Sequence, residues 1–218
     1  MIEAIAFDLD GTLIESERVW EGARRGVTEA AGGRWRDDAQ PSMMGLSTPE
    51  WIAYMQRELG VQLDAAQILD DVRERIATSY GERLPLIDGA AEAVRSLGAR
   101  WPLAVASSSP RSLIELVLRL GGLADAFGVV ISAEEVERGK PSPDVYLRAC
   151  ELLGSEPGRT AAIEDSGAGV RSAVAAEMPV VMIPGTEFPP EPDVLELADL
   201  VLESIRELSP AAVEGLGR

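Results

Sequence analysis

Six short apolar runs set among helical patterns constrain this chain more than any other feature. They lie at Ala4 to Asp8, Leu103 to Ala106, Val129 to Ile131, Ala161 to Ile163, Val180 to Ile183 and Leu200 to Leu202. Helical patterns separate most of them, from about Gly89 to Leu97, Pro110 to Leu120, Ser142 to Leu153 and Gly167 to Ala176, each opened by Gly, Pro or Ser. Such alternation predicts an α/β fold, a parallel sheet with helices on both faces.

One stretch breaks the rhythm. Residues from about Ser16 to Arg83 hold no convincing strand and three or four helical patterns, including Arg18 to Ala31, Pro49 to Leu59 and Ala65 to Tyr80. The expected organisation is a core domain made of residues 1–15 and 84–218, with a small helical bundle, 16–83, inserted after the first strand. A long insertion beside the carboxyl end of a strand is well placed to act as a lid.

At the end of the first strand stand Asp8 and Asp10, in Ile5-Ala6-Phe7-Asp8-Leu9-Asp10-Gly11-Thr12. Strand side chains alternate, so the two carboxylates are expected on one face, with Ile5, Phe7 and Leu9 on the other. Like charges that close repel each other unless a cation or a proton intervenes. A divalent metal facing a phosphate is the simplest remedy, though an Asx-rich turn closing a strand would give the same letters.

Composition narrows the chemistry. The chain carries a formal charge of −17, which repels a polyphosphate backbone and argues against nucleic acid as a partner. No apolar run approaches the ~20 residues of a membrane helix, so a cytoplasmic, membrane-free protein is expected. Histidine is absent, which removes Ser-His-Asp and Cys-His mechanisms and His-ligated zinc. Nineteen of the 20 basic residues are arginine, and Lys140 is the only lysine. The single cysteine, Cys150, lies in a helical pattern and reads as core.

Three more sites fall at or near strand exits. Ser107, Ser108 and Ser109 follow the second strand, and Pro110 opens a helix; hydroxyls and free amides there form an anion cradle, or simply an N-cap. Lys140 stands in Gly139-Lys140-Pro141-Ser142-Pro143, where a compact point charge is used in place of arginine's broad fork, unless it is only a solvated side chain. Glu164 and Asp165 form a second acidic pair, and Ser166-Gly167-Ala168-Gly169 leads into a helix. A dinucleotide fingerprint would put these acids against a pyrophosphate of like charge.

Taken in order, Asp8-x-Asp10-Gly11-Thr12, Ser107, Lys140-Pro141 and Glu164-Asp165-Ser166 resemble the four motifs of the haloacid dehalogenase superfamily. The helical insertion resembles that family's alpha-helical cap, as in its sugar phosphatase and beta-phosphoglucomutase branch. The resemblance implies a Rossmann-like core with the first strand central and all four motifs at the carboxyl edge. It implies that Asp8 is the nucleophile, taking a phosphoryl group as an aspartyl phosphate, and that Asp10 is the general acid and base. It also implies a Mg²⁺ site formed by Asp8, the Asp10 carbonyl and Asp165 with Glu164 assisting, and phosphate binding by Ser107, Ser108, their amides and Lys140.

Departures within the resemblance narrow it. Dehalogenases proper lack the second aspartate, and phosphonate hydrolases use a cap lysine, which 16–83 does not contain. The mutases carry a cap histidine and a cap arginine at the positions of Trp20 and Thr48. A Mg²⁺-dependent phosphatase of a small phosphomonoester, such as a sugar phosphate, is therefore expected ahead of a phosphomutase. A non-catalytic relative that binds a phosphorylated ligand is a third possibility. The cap loop at Met43, Met44, Gly45, Leu46, Ser47 and Thr48, with Trp20 and Trp51 nearby, is expected to set specificity. Arg24 and Arg25 are expected either to meet an anionic substrate or to form a solvated helix face. The partner is a small phosphorylated metabolite, and the chain is expected to be a monomer or a weak homodimer.

Overall fold

The computed structural model describes residues 1–44, 46–185 and 191–216. The chain divides into two compact units, Met1–Glu15 with Pro85–Arg218, and Ser16–Leu84.

The first unit is built on a six-stranded sheet in the order β3-β2-β1-β4-β5-β6. Its strands are β1 (Ala4–Phe7), β2 (Leu103–Ser107), β3 (Val129–Ser132), β4 (Thr160–Glu164), β5 (Val180–Met182) and β6 (Leu200–Val201). Every pairing is parallel. Parallel strands need crossovers, and helices supply them: α5 (Ala90–Gly98), α6 (Arg111–Leu120), α7 (Asp144–Leu153) and α8 (Gly167–Ala175). Two short helices follow, α9 (Pro192–Leu195) and α10 (Pro210–Gly215). β1 and β2 are buried along their whole length, as strands covered on both faces must be.

One face of the sheet presents Ala6, Ala104, Ala106 and Ala162, and onto it pack Val145, Tyr146, Ala149 and Cys150 of α7 and Val170 and Ala173 of α8. Alanines on the strands let these helices come close and leave room for the large Tyr146 ring. Residues of the other register, Ile5, Phe7, Leu103 and Val105, are also fully or almost fully buried. Phe7 meets Phe127 edge to face, with ring centroids 5.9 Å apart. Cys150 is buried, as its place in a helical pattern predicts.

The second unit is helical, with α1 (Glu17–Ala30), α2 (Ala39–Met43), α3 (Thr48–Arg57) and α4 (Ala65–Glu82). Along α4, Ile68, Val72, Ile76 and Tyr80 recur every four residues and are buried, forming the apolar stripe of an amphipathic helix. Asp64 caps this helix by accepting from the Gln67 amide at 2.9 Å. Leu84, assigned to the core from the sequence, goes with this unit, and no strand occurs in it among the described residues.

Because Phe7 lies one residue before Asp8 and is wholly buried in the central strand, its packing holds the site's first residue in place. Phe7→Ala should lower stability by about 3–5 kcal/mol, read from urea unfolding followed by circular dichroism. A loss below about 1 kcal/mol would mean that the central strand is not packed as described.

Candidate active site

β1 and β4 are neighbours, with Phe7 paired to Ile163, so the residues just beyond them emerge side by side. The Asp8 amide donates to the Ile163 carbonyl at 2.9 Å, and β4 ends on Glu164 itself. In a sheet of this strand order the connections change direction here, which is where open α/β sheets bind ligands. Lys140 enters from the loop before α7. Its ammonium lies 2.6 Å from Asp8 Oδ1 and 2.5 Å from Glu164 Oε1, with the side chain only 4% exposed. The solvated alternative for Lys140 is thereby excluded.

Glu164 is completely buried. Besides Lys140, its Oε1 accepts from the Tyr146 hydroxyl at 2.7 Å. Its Oε2 accepts from the Asp165 amide at 3.2 Å, the Ser166 hydroxyl at 3.2 Å and the Ser166 amide at 3.5 Å. Both oxygens are thus committed to protein donors. The last turn into α8 closes over this carboxylate, and a Cβ on Gly169 would fall 1.9 Å from it. Gly11 has the same use on the other side: its φ is +82°, and a Cβ there would fall 1.9 Å from Asp165 Oδ2.

Asp8, Glu164 and Asp165 each bring one carboxylate oxygen within 4.8 Å of the others. Burial raises the Asp8 carboxyl above its ordinary pKa; Glu164 and Asp10 push the same way, and Lys140 opposes them. Asp165 is raised well above its ordinary value by burial, then by Asp8 and Glu164. Burial alone would depress Lys140, but Asp8 and Glu164 together hold it above the usual lysine range. Three carboxylates facing one ammonium carry excess negative charge. Asp165 Oδ1 is buried without a hydrogen-bond partner, an atom left for something other than the protein to satisfy. An all-oxygen set of this charge fits a hard divalent cation.

Asp10 is not part of that group. Its Oδ2 accepts from the Ser109 hydroxyl at 2.6 Å and from Ser107 at 3.4 Å, because the strand has ended at Phe7 and the chain is already turning. The two aspartates that strand alternation puts on one face thus have different partners, Lys140 for Asp8 and the serines for Asp10. Ser107 is fully buried, its hydroxyl also accepting the Ser109 amide at 3.0 Å, whereas Ser108 is exposed. Ser109 is in turn fixed through its carbonyl, which accepts from the Ser132 hydroxyl at 2.7 Å.

The second unit is described by itself. Ser47 is the N-cap of α3 and forms a reciprocal capping box with Glu50, so its hydroxyl has a structural partner. Thr48 opens that helix and Leu46 is exposed; Gly45 lies outside the described residues. Trp20 meets Trp51 edge to face, with centroids 6.4 Å apart. Arg24 departs from the solvated-face expectation, since it is buried. Its guanidinium carbon lies 4.9 Å from the Trp20 ring and 5.1 Å from the Trp51 ring, and Nη1 donates to Gln40 Oε1 at 3.3 Å. Aromatic faces accept this weakly hydrated cation where water is excluded. Arg25 is exposed and paired with Glu29.

Tyr146, Ser109 and Gly169 are the site residues missed from sequence. Tyr146 belongs to a helical apolar stripe, and nothing in its spacing separates it from core. Ser109 stood in a recognised serine run, and Gly169 in a recognised glycine pair, but neither role could be read from composition.

Residues 2–177 match the family model described as haloacid dehalogenase-like hydrolase. Hexitol phosphatase B of Escherichia coli strain K12 is 33% identical over 211 residues, covering 95% of each chain. The crystal structure of CbbY from Rhodobacter sphaeroides in complex with phosphate superposes with a TM-score of 0.88 at 31% identity, over 98% of this chain and 100% of that one. A beta-phosphoglucomutase from Clostridium difficile shares the fold, with a TM-score of 0.83 at 20% identity over 99% of this chain and 97% of that one.

The raised carboxyls fix the sign of a pH effect. An acid whose pKa is higher in the folded state binds its proton more tightly there, so stability is fully present below the ordinary carboxylate range and falls as pH rises. Thermal melts in chelator should therefore move to lower temperature between about pH 5 and pH 8, and Mg²⁺ should recover part of the loss at the upper end. Melting temperatures that rise over this range in chelator would contradict the assignment.

Proposed function

The chain belongs to the haloacid dehalogenase-like hydrolases, and from that premise we propose that it is a Mg²⁺-dependent phosphatase acting on a small phosphomonoester, a phosphorylated sugar or a similar metabolite. The observation that carries this reading is the Asp8 carboxylate at the junction of β1 and β4, in contact with the one lysine and flanked by a second acidic pair.

In the proposed reaction an Asp8 carboxylate oxygen attacks phosphorus while the bond to the ester oxygen breaks. The departing oxygen takes a proton from Asp10, leaving an aspartyl phosphate. Water then attacks that phosphorus, Asp10 takes back a proton, and inorganic phosphate leaves with Asp8 restored. Asp10 is suited to this work because Ser109 holds its carboxylate apart from the crowded acids. Lys140 draws the phosphoryl oxygens to Asp8, and Ser108, exposed at the turn after β2, offers further donors. Mg²⁺, held by Asp8, Asp165 and the Asp10 carbonyl with Glu164 behind them, would withdraw negative charge from the phosphoryl oxygens.

Charged phosphomonoesters do not cross membranes unaided, so this reading puts the enzyme in the cytoplasm, as a monomer or weak homodimer without nucleic acid. A mutase finds less support in the second unit. Thr48 is committed to opening α3, and the buried Arg24 is committed to Trp20, Trp51 and Gln40.

Phosphate release from a panel of sugar phosphates tests the reading. Turnover is expected with Mg²⁺, none in excess chelator, and a loss of at least about a thousandfold in Asp8→Asn with folding intact. Near-native turnover by Asp8→Asn would remove Asp8 as nucleophile.

Hexose 1- and 6-phosphates separate hydrolysis from isomer exchange. Net release of inorganic phosphate is expected from one or both, with no interconversion detected by NMR. Conversion of beta-glucose 1-phosphate to the 6-phosphate faster than phosphate release, stimulated by the bisphosphate, would favour the mutase.

A further inference from the structure

Tyr146 is the largest of the fully buried side chains among the described residues, and the reaction above gives it no part. Filling volume does not explain its hydroxyl. A phenylalanine would occupy the same space, whereas a buried O–H costs free energy unless it finds a partner. The partner here is Glu164 Oε1 at 2.7 Å, the same oxygen that holds Lys140 at 2.5 Å. The ring faces the same ammonium, with Nζ 4.8 Å from its centroid, and the hydroxyl oxygen lies 3.4 Å from Nζ.

These contacts form a closed arrangement. Glu164 Oε2 is fixed by the chain that follows it, through Asp165 and Ser166. Oε1 is shared between a phenol and an ammonium. A lysine side chain has four rotatable carbons and a charge without directional preference, so its position depends on what surrounds the head group. Burial keeps the phenol protonated, its pKa raised by loss of water and then by Glu164 and Asp8. It therefore stays a donor.

We propose that Tyr146 is the positioning residue for Lys140: its hydroxyl occupies part of Glu164 Oε1 and its ring bears the ammonium, so that the charge is left facing Asp8. Without the hydroxyl, Oε1 has Lys140 as its only side-chain donor and draws the ammonium away from Asp8. The inference rests on the phosphatase reading only for what Lys140 does to substrate; the placement itself concerns any anion bound beside Asp8.

The test is a double-mutant cycle between Tyr146 and Lys140, read as calorimetric affinity for inorganic phosphate in the presence of Mg²⁺, with turnover measured in parallel. Tyr146→Phe conserves volume and is expected to fold, to bind phosphate about five- to tenfold more weakly, and to lose kcat/KM by a similar factor. Tyr146→Leu, lacking the ring as well, should weaken binding about threefold more. In a Lys140→Ala background, Tyr146→Phe should change phosphate affinity less than about twofold, because the residue it acts through is gone. A purely structural tyrosine would weaken binding equally in both backgrounds, and that result would overturn the proposal. So would unchanged affinity in Tyr146→Phe, or a failure of that variant to fold, which would make the hydroxyl a structural necessity. If the wild type turned over no phosphomonoester but bound phosphate with the expected coupling, the phosphatase reading would fall and the positioning role would stand. Turnover without coupling would do the reverse.

Discussion

Crowding three carboxylates around one ammonium, out of water, is the constraint on which the rest of the site depends. Asp8, Glu164 and Asp165 cannot all remain charged there unless positive charge is supplied, and Lys140 supplies only part of it. The shortfall makes the site useful. An all-oxygen group with such a shortfall suits a hard divalent cation, which would complete the balance. The topology makes the crowding possible. Residues more than 150 positions apart meet because β1 and β4 are adjacent parallel strands, both delivering their last side chains to one edge.

Small residues do as much of the building as charged ones. Ala6, Ala104 and Ala106 set the depth at which α7 lies on the sheet, and that depth brings Tyr146 within reach of Glu164. Gly11 and Gly169 leave the gaps that Asp165 and Glu164 fill. Such positions specify the site by what they omit, and a methyl group at either would have to displace a carboxylate.

The parallel sheet, its interruption by a helical unit, and the strand-end positions of Asp8, Ser107 and Glu164 were legible because each leaves a mark in sequence order: an apolar run, a break in alternation, a polar residue at its end. Strand ends were read one residue long at Asp8, Ile183 and Leu202 and one residue short at Ala106, Ile131 and Ile163, since the apolar pattern does not stop where the pairing does. The partners of these groups were much less legible. Tyr146 and Arg24 sit in helical patterns where spacing marks a face as buried or exposed but does not say what it is buried against. For Arg24 even the face was misjudged, because the two tryptophans that shelter it come from separate helices. Ser109 was visible as one serine among three, and only the turn after Phe7 brings it, instead of a metal, to the Asp10 carboxylate.

The tryptophans are unevenly shared between the two units. Trp20, Trp35 and Trp51 lie in the helical unit, two of them against one guanidinium, while the sheet unit has Trp101 alone. Intrinsic emission from this protein is consequently a report on its helical unit. The sheet unit speaks through one indole, whose N–H donates to the Ile2 carbonyl at 3.1 Å, just before the first strand begins.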